Sequence, residues 1–273
     1  MSRFVAESPG KGLRMGEFLG EDERSFIVDT SFAGSLGPTP GLLLADEAIP
    51  LAFEAADGVV LNPGQLERIS KLLPGKTGAA PLVRVDWTNA FRDKTFILPA
   101  EKVCRAQIAG AEAALELGAA AAVVTLLMGF DDEFESQNIA FSARIFREGS
   151  RINLPVLVDI HLMGPKIGAD NFAGALGLST AMMVEGGADA LIMPYPGEEM
   201  FAQIQEFSPV PIFLRESARV VSDPALSRKL LASIDSGAAG LLLGQDAFAC
   251  GDPRGVFAEA RSLVHGAREA ELP

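Results

Sequence analysis

Short, unbroken apolar runs recur along the chain, each followed by a longer stretch of amphipathic or alanine-rich sequence. Eight runs read as strands: Ser25–Val28, Gly58–Leu61, Leu82–Val85, Ala121–Leu126, Val156–Asp159, Ala190–Met193, Ile212–Leu214 and Gly240–Leu243. They are continuous rather than alternating, as expected of parallel strands buried on both faces. The intervening stretches predict helices over Gly41–Ala55, Gly64–Leu73, Ala100–Leu117, Asp132–Gly149, Asn171–Gly186, Glu198–Phe207, Asp223–Ser236 and Pro253–Gly266. Ser222-Asp223-Pro224 supplies a cap and an early proline, and Ser236-Gly237 a stop. Glycines at Gly118, Gly187 and Gly237 precede three of the strands and fit left-handed helix stops.

Eight such units, with no glycine-rich dinucleotide loop, predict a single (β/α)₈ TIM barrel over residues 1–273. Residues 1–24 are expected to form an N-terminal extension with a helix covering the barrel bottom. Composition agrees: 48% of residues are hydrophobic but only 7% aromatic, so Ala, Leu, Val and Ile must fill the core.

A net charge of −13 with no basic run argues against nucleic acid, which requires clustered Lys and Arg. The opening MSRFVAESPGKGLRMGEF has no apolar leader core, and no run reaches the ~18 apolar residues needed to span a bilayer. A cytoplasmic protein without a membrane partner is expected. Cys104 and Cys250 are far apart, outside any metal-binding spacing, and read as buried small hydrophobes.

In a barrel, the chemistry sits at the C-terminal ends of the strands. Those positions carry Asp29, Asn62, Arg84 with Asp86 and Trp87, Thr125, Asp159 with His161, Met193 with Tyr195, Arg215 with Glu216, and Gln245 with Asp246.

At these residues the chain resembles the DeoC/LacD group of class I aldolases, in particular archaeal-type fructose-bisphosphate aldolases and autoinducer-2-phosphate thiolases, from about Gly12 to Gly266. Phe26-Ile27-Val28-Asp29, with Gly37-Pro38 and Gly41-Leu42, resembles the group's first strand. Gly187-Ala188-Asp189-Ala190-Leu191-Ile192-Met193-Pro194-Tyr195 is similar to its Gly-Ala-Asp-x-x-Lys-x-x-Tyr. Val210-Pro211-Ile212, Ser236-Gly237-Ala238 and Gly244-Gln245-Asp246-Ala247-Phe248 resemble its last two strands.

The departures bear on function. Met193 is read as standing at the Schiff-base lysine position, and a thioether forms no iminium. The group grips phosphate with a Gly-Gly pair after strand seven and a Gly-Arg pair after strand eight; here Arg215-Glu216-Ser217 and Gly244-Gln245 stand there. A carboxylate and an amide disfavour a phosphate dianion.

The resemblance therefore implies an aldolase-like lyase that cleaves, forms or enolises a small carbonyl or keto-acid substrate without an imine. Asp29, His161 and Tyr195 are the expected proton carriers, His161 with a pKa near neutrality. Arg84, Arg215, Glu216, Gln245 and Trp87 are the expected substrate-binding residues. No organic cofactor is expected; Asp159, Glu216 and Asp246, with Asp29 and His161, are the candidates for a divalent metal site. A catalytically inactive, metabolite-binding or structural relative is the first alternative. An imine relocated to Lys166 is the second. His265 reads as a surface residue, and the resemblance implies a homo-oligomer.

Overall fold

The computed structural model describes residues 8–37, 45–72 and 78–266. Its strands, in chain order, are β1 (Ser25–Asp29), β2 (Gly58–Leu61), β3 (Ala80–Arg84), β4 (Asp86–Thr88), β5 (Arg105–Gln107), β6 (Ala121–Met128), β7 (Val156–Leu162), β8 (Ala190–Met193), β9 (Ile212–Glu216) and β10 (Gly240–Leu243). All but β4 and β5 close a parallel barrel in the order β1-β10-β9-β8-β7-β6-β3-β2. Each of the eight apolar runs is thus a barrel strand.

The helices are α1 (Pro9–Met15), α2 (Ala33–Leu36), α3 (Ala45–Ala55), α4 (Pro63–Ile69), α5 (Ala111–Glu116), α6 (Asp132–Ile152), α7 (Phe172–Gly186), α8 (Glu198–Phe207), α9 (Pro224–Asp235) and α10 (Pro253–His265). Pro38, Gly41, Leu42 and Leu73, to which the sequence reading gave roles, lie outside the described residues. At the turn before β8, Gly187 sits at φ 104 and returns its N–H to Met183, a left-handed stop that a side chain would strain.

Side-chain alternation divides the apolar core into two layers. Ile27, Leu82, Val123, Leu157, Ile192, Phe213 and Leu242 fill the barrel with Met15 and Phe18. Val28, Val83, Val124, Val158, Leu191, Met193, Leu214 and Leu241 pack outward with residues of the helices. This parity decides which strand-end residues meet at the mouth.

The predicted helix over Ala100–Leu117 is corrected. Only Ala111–Glu116 is helical, while Arg105–Gln107 forms β5, antiparallel to β4. Arg105 draws this segment back to the barrel: its guanidinium bonds Asp86 (Nε–Oδ2 2.9 Å) and Asn138 (3.0 Å) and lies 3.8 Å from the Phe141 ring centroid. That buried ion pair overrides the helix propensity of the alanine-rich sequence.

At the opposite end, Ser8 caps α1, and buried Lys11 reaches Asp189 at 2.8 and 3.0 Å and Ser150 at 3.1 Å. His265 is not a free surface residue. Its ring nitrogens lie 2.8 Å from Asp22 and 2.8 Å from Asp57, tying α10 to the loops before β1 and β2. Nor are the cysteines buried hydrophobes: Cys104 is exposed and Cys250 half-buried. Among the described residues no helix is long and apolar enough to cross a membrane.

Candidate active site

Inward-facing residues of β1, β3, β6, β7 and β9 converge at the barrel mouth on one guanidinium. Arg84 bonds Ser31 through Nε (2.6 Å), Thr125 through one terminal nitrogen (2.7 Å), and Asp29 (2.8 Å) and Asp159 (2.9 Å) through the other. Asp29 and Asp159 are fully buried. Arg215 bonds the second oxygen of Asp159 and also the Ile160 carbonyl at 3.2 Å.

The hydroxyls are oriented by their neighbours. Ser31 donates to Asp29 at 2.6 Å, so its oxygen accepts from Arg84. Thr125 donates to Asp86 at 2.9 Å and likewise accepts from Arg84. Asp86 in turn holds Arg105 and the Thr125 backbone N–H (2.8 Å). Three guanidiniums thus face three carboxylates, a balanced set whose members are held mainly by charge-assisted bonds.

His161 lies 3.0 Å from Asp159 through Nε2. A carboxylate only accepts, so Nε2 carries the proton and the Nδ1 lone pair is left to other partners. Burial, then the charge of Arg84, pushes its pKa down to about 3. The expected near-neutral proton carrier is therefore corrected: His161 is a neutral imidazole that buttresses Asp159. Arg215 is also pushed down, to about 9, by burial first and Arg84 second, and stays cationic at neutral pH.

Among the described residues, two buried polar atoms at neighbouring strand ends lack a hydrogen-bond partner: Nε of Arg215 and Oε1 of Gln245. One is a donor and the other an acceptor, and such orphans call for a physical explanation. Asp246 is turned elsewhere, accepting the Ala218 backbone N–H at 2.7 Å in the loop after β9. Barrel enzymes often hold phosphate in that region, on loops after strands seven and eight. Here the protein's own carboxylate is bound there.

The model of a family described as "DeoC/LacD family aldolase" matches residues 43–250. The chain belongs to the DeoC/LacD aldolases. The 2-amino-3,7-dideoxy-D-threo-hept-6-ulosonate synthase of Halobacterium salinarum is 25% identical over 268 residues, covering 96% of this chain and 94% of the relative. The 3-hydroxy-5-phosphonooxypentane-2,4-dione thiolase of Klebsiella pneumoniae is 28% identical over 237 residues, 86% of this chain and 75% of the relative. In fold, a Schiff-base-forming fructose-1,6-bisphosphate aldolase superposes with a TM-score of 0.76 at 20% identity, covering 94% of this chain and 100% of that structure.

In this DeoC/LacD aldolase the expected site residues divide. Asp29, Arg84, Asp159, His161 and Arg215 come together; several others do not. Met193 points away from the barrel axis, packs in the outer layer and accepts a bond from Thr180 on α7 at 3.7 Å. The inward residue there is Ile192, in register with Asp159. Counting Gly-Ala-Asp-x-x-Lys from Gly187 also reaches Ile192, so the assignment to Met193 is off by one and therefore on the wrong face. Either way, β8 of this DeoC/LacD aldolase carries no lysine.

Tyr195 packs 5.7 Å from Phe201 with Lys229 4.7 Å over its ring, outside the mouth cluster, so its expected role in proton transfer lacks the required geometry. Glu216 shares the outer parity of Leu214; burial raises its pKa against the charge of Lys229. Trp87 donates to the Gly34 carbonyl at 3.0 Å, joining β4 to α2. The metal candidates Asp159, Glu216 and Asp246 do not converge, and among the described residues no three His, Cys, Asp or Glu side chains group as a metal site.

Lys166 is half-exposed and paired with Asp132, which raises its pKa. An imine-forming lysine needs the opposite, a burial-lowered pKa, so the relocated amine is corrected as well. Sequence reasoning did not single out Ser31 or Arg105. The signal for Ser31 was its place two residues after Asp29, where its backbone N–H and hydroxyl both reach that carboxylate (2.8 and 2.6 Å).

Proposed function

We propose that this DeoC/LacD aldolase is a carbon–carbon lyase for a small, unphosphorylated hydroxycarbonyl compound, working through an arginine-held enolate rather than a lysine imine. The observation that carries this reading is the path of Arg215. From β9 its guanidinium reaches across β8 to Asp159 on β7, the register partner of Ile192, while its Nε–H has no partner among the described residues. A cation therefore spans the strand on which the family resemblance expects a lysine.

In the cleavage direction Asp29 takes the proton of the hydroxyl beta to the carbonyl. The bond between the two substrate carbons breaks, the aldehyde leaves, and the electron pair moves onto the carbonyl oxygen. The Arg215 Nε–H stabilises that oxygen in a buried, low-dielectric site, where a preoriented donor is most effective. Asp29 then returns its proton to the enolate carbon. Gln245 Oε1 is available to accept from a further substrate hydroxyl. Asp246 on the Ala218 N–H, with Glu216 nearby in sequence, supports a substrate without phosphate.

A second reading, a metabolite-binding relative without turnover, is favoured by the small space at the mouth. The cavity beside Arg84 and Thr125 is about 10 Å³, room for about one water. Aldehyde release from unphosphorylated 4-hydroxy-2-keto acids and β-hydroxyketones separates the two. The lyase reading predicts turnover that falls about 10²–10⁴-fold in Asp29→Asn, the usual range for a lost general base. Saturable binding without turnover, abolished in Arg215→Met, would establish the second reading.

A further inference from the structure

A segment outside the barrel borders the mouth. Residues 89–104, between β4 and β5, contain no helix or strand and approach the mouth through Phe91 and Arg92. Their base is clamped: Thr88 bonds the Cys104 carbonyl at 2.8 Å, and Asn89 bonds the Lys102 carbonyl at 2.9 Å and the Cys104 N–H at 2.7 Å. Beyond the clamp, Arg92 donates to the Ser35 carbonyl at 2.8 Å and stacks on Trp87 (5.4 Å) and Phe96 (5.5 Å).

This segment places Phe91 edge-on to His161 (4.9 Å) and to Phe32 (5.0 Å). Phe91 and Phe32 also bound the water-sized cavity beside Arg84, Asp86 and Thr125. A substrate-sized molecule entering that cavity must therefore displace a ring. Phe32 follows Ser31, which is pinned to Asp29 and Arg84, and leads into α2. Phe91 is held by these ring contacts, by the clamp at the base of its segment and by the Arg92 latch. The outer part of the same segment makes few contacts, with Ile97 88% and Leu98 67% exposed. Weakly packed elements of this kind open locally at low free-energy cost.

We propose that Phe91 is the gate of the site: residues 89–104 swing on the Asn89–Cys104 clamp, and release of Arg92 from Ser35 uncovers His161 and the Arg84 cluster. The proposal rests on this cluster being the functional site, but its test needs no substrate. His161 is neutral with Nε2 committed to Asp159, so acylation of Nδ1 by diethylpyrocarbonate is limited by access rather than protonation. Its rate at neutral pH is read by peptide mass mapping in the folded protein, in Phe91→Ala, in Arg92→Ala and in the urea-unfolded chain, with near-ultraviolet circular dichroism confirming that both variants fold.

Acylation in the native protein should be far slower than in the unfolded chain and rise about tenfold in each variant, as expected on losing roughly one latch interaction. Native acylation as fast as in the unfolded chain would show the mouth already open and overturn the proposal. Unchanged rates in the folded Phe91→Ala and Arg92→Ala variants would overturn it too. Either result is independent of turnover, so failure of the gate is distinguishable from failure of the lyase reading.

Discussion

Replacing Arg84 with Met tests whether the mouth cluster is held by charge. The Arg84 side chain is 9% exposed and makes four bonds, to Ser31, Thr125, Asp29 and Asp159. Asp159 would keep Arg215 and His161, but Asp29, fully buried, would keep only Ser31. Leaving a buried carboxylate without its counter-charge costs about 3–5 kcal/mol. Unfolding entropy of about 2.1 cal/mol/K per residue over 273 residues turns that into a fall in melting temperature of roughly 5–9 °C. Scanning calorimetry and urea denaturation at neutral pH measure it. Asp29→Asn in the same chain should restore about half the loss, because the amide no longer needs a cation. A loss below about 1 kcal/mol, in the range of an exposed pair, would refute the argument. So would a double variant no more stable than Arg84→Met alone.

Further expectations follow from the same contacts. His265 has a raised pKa, chiefly from its bond to Asp57, against burial. Its contribution is therefore complete below the unfolded value of about 6.5 and is lost as pH rises through the higher folded value. In chemical denaturation from pH 5.5 to 9, the stability gap between the native chain and His265→Gln should be widest at the acid end. His161 should stay neutral and Nε2-protonated from pH 5 to 8 in ¹⁵N NMR spectra; a midpoint near 6.5 would contradict its burial. Lys11→Met, at the barrel bottom, should cost about 3–5 kcal/mol by breaking the buried ion pair with Asp189, measured by urea denaturation. Lys166→Ala should leave aldehyde release unchanged within about twofold, because an exposed ion pair contributes little.

The barrel was legible in the sequence because each strand is an apolar run buried on both faces and three of them follow glycine stops, Gly118, Gly187 and Gly237. Asp29, Arg84, Asp159, His161 and Arg215 were legible as polar residues ending apolar runs. What sequence alone could not supply was parity. Met193 and Ile192 are adjacent, yet one faces helix α7 and the other the barrel axis, and only the register with Asp159 separates them. Tyr195 and Glu216 are strand-end residues too, but they lie among α8 and α9 rather than over the mouth. The β4–β5 excursion was hidden for a different reason. Its β-pairing depends on Arg105 meeting Asp86 across 19 residues, a tertiary contact that alanine-rich local sequence does not signal. Phe91, whose role depends on that excursion, went unread with it.

The measurement that tests the central claim most directly is intact mass and aldehyde release recorded together, with and without borohydride, while the protein turns over an unphosphorylated 4-hydroxy-2-keto acid. The account predicts steady release that borohydride leaves unchanged, no covalent adduct, and loss of release in Asp29→Asn and Arg215→Met. A reduced substrate adduct on any lysine, with release halted as it accumulates, would show an imine mechanism and contradict it.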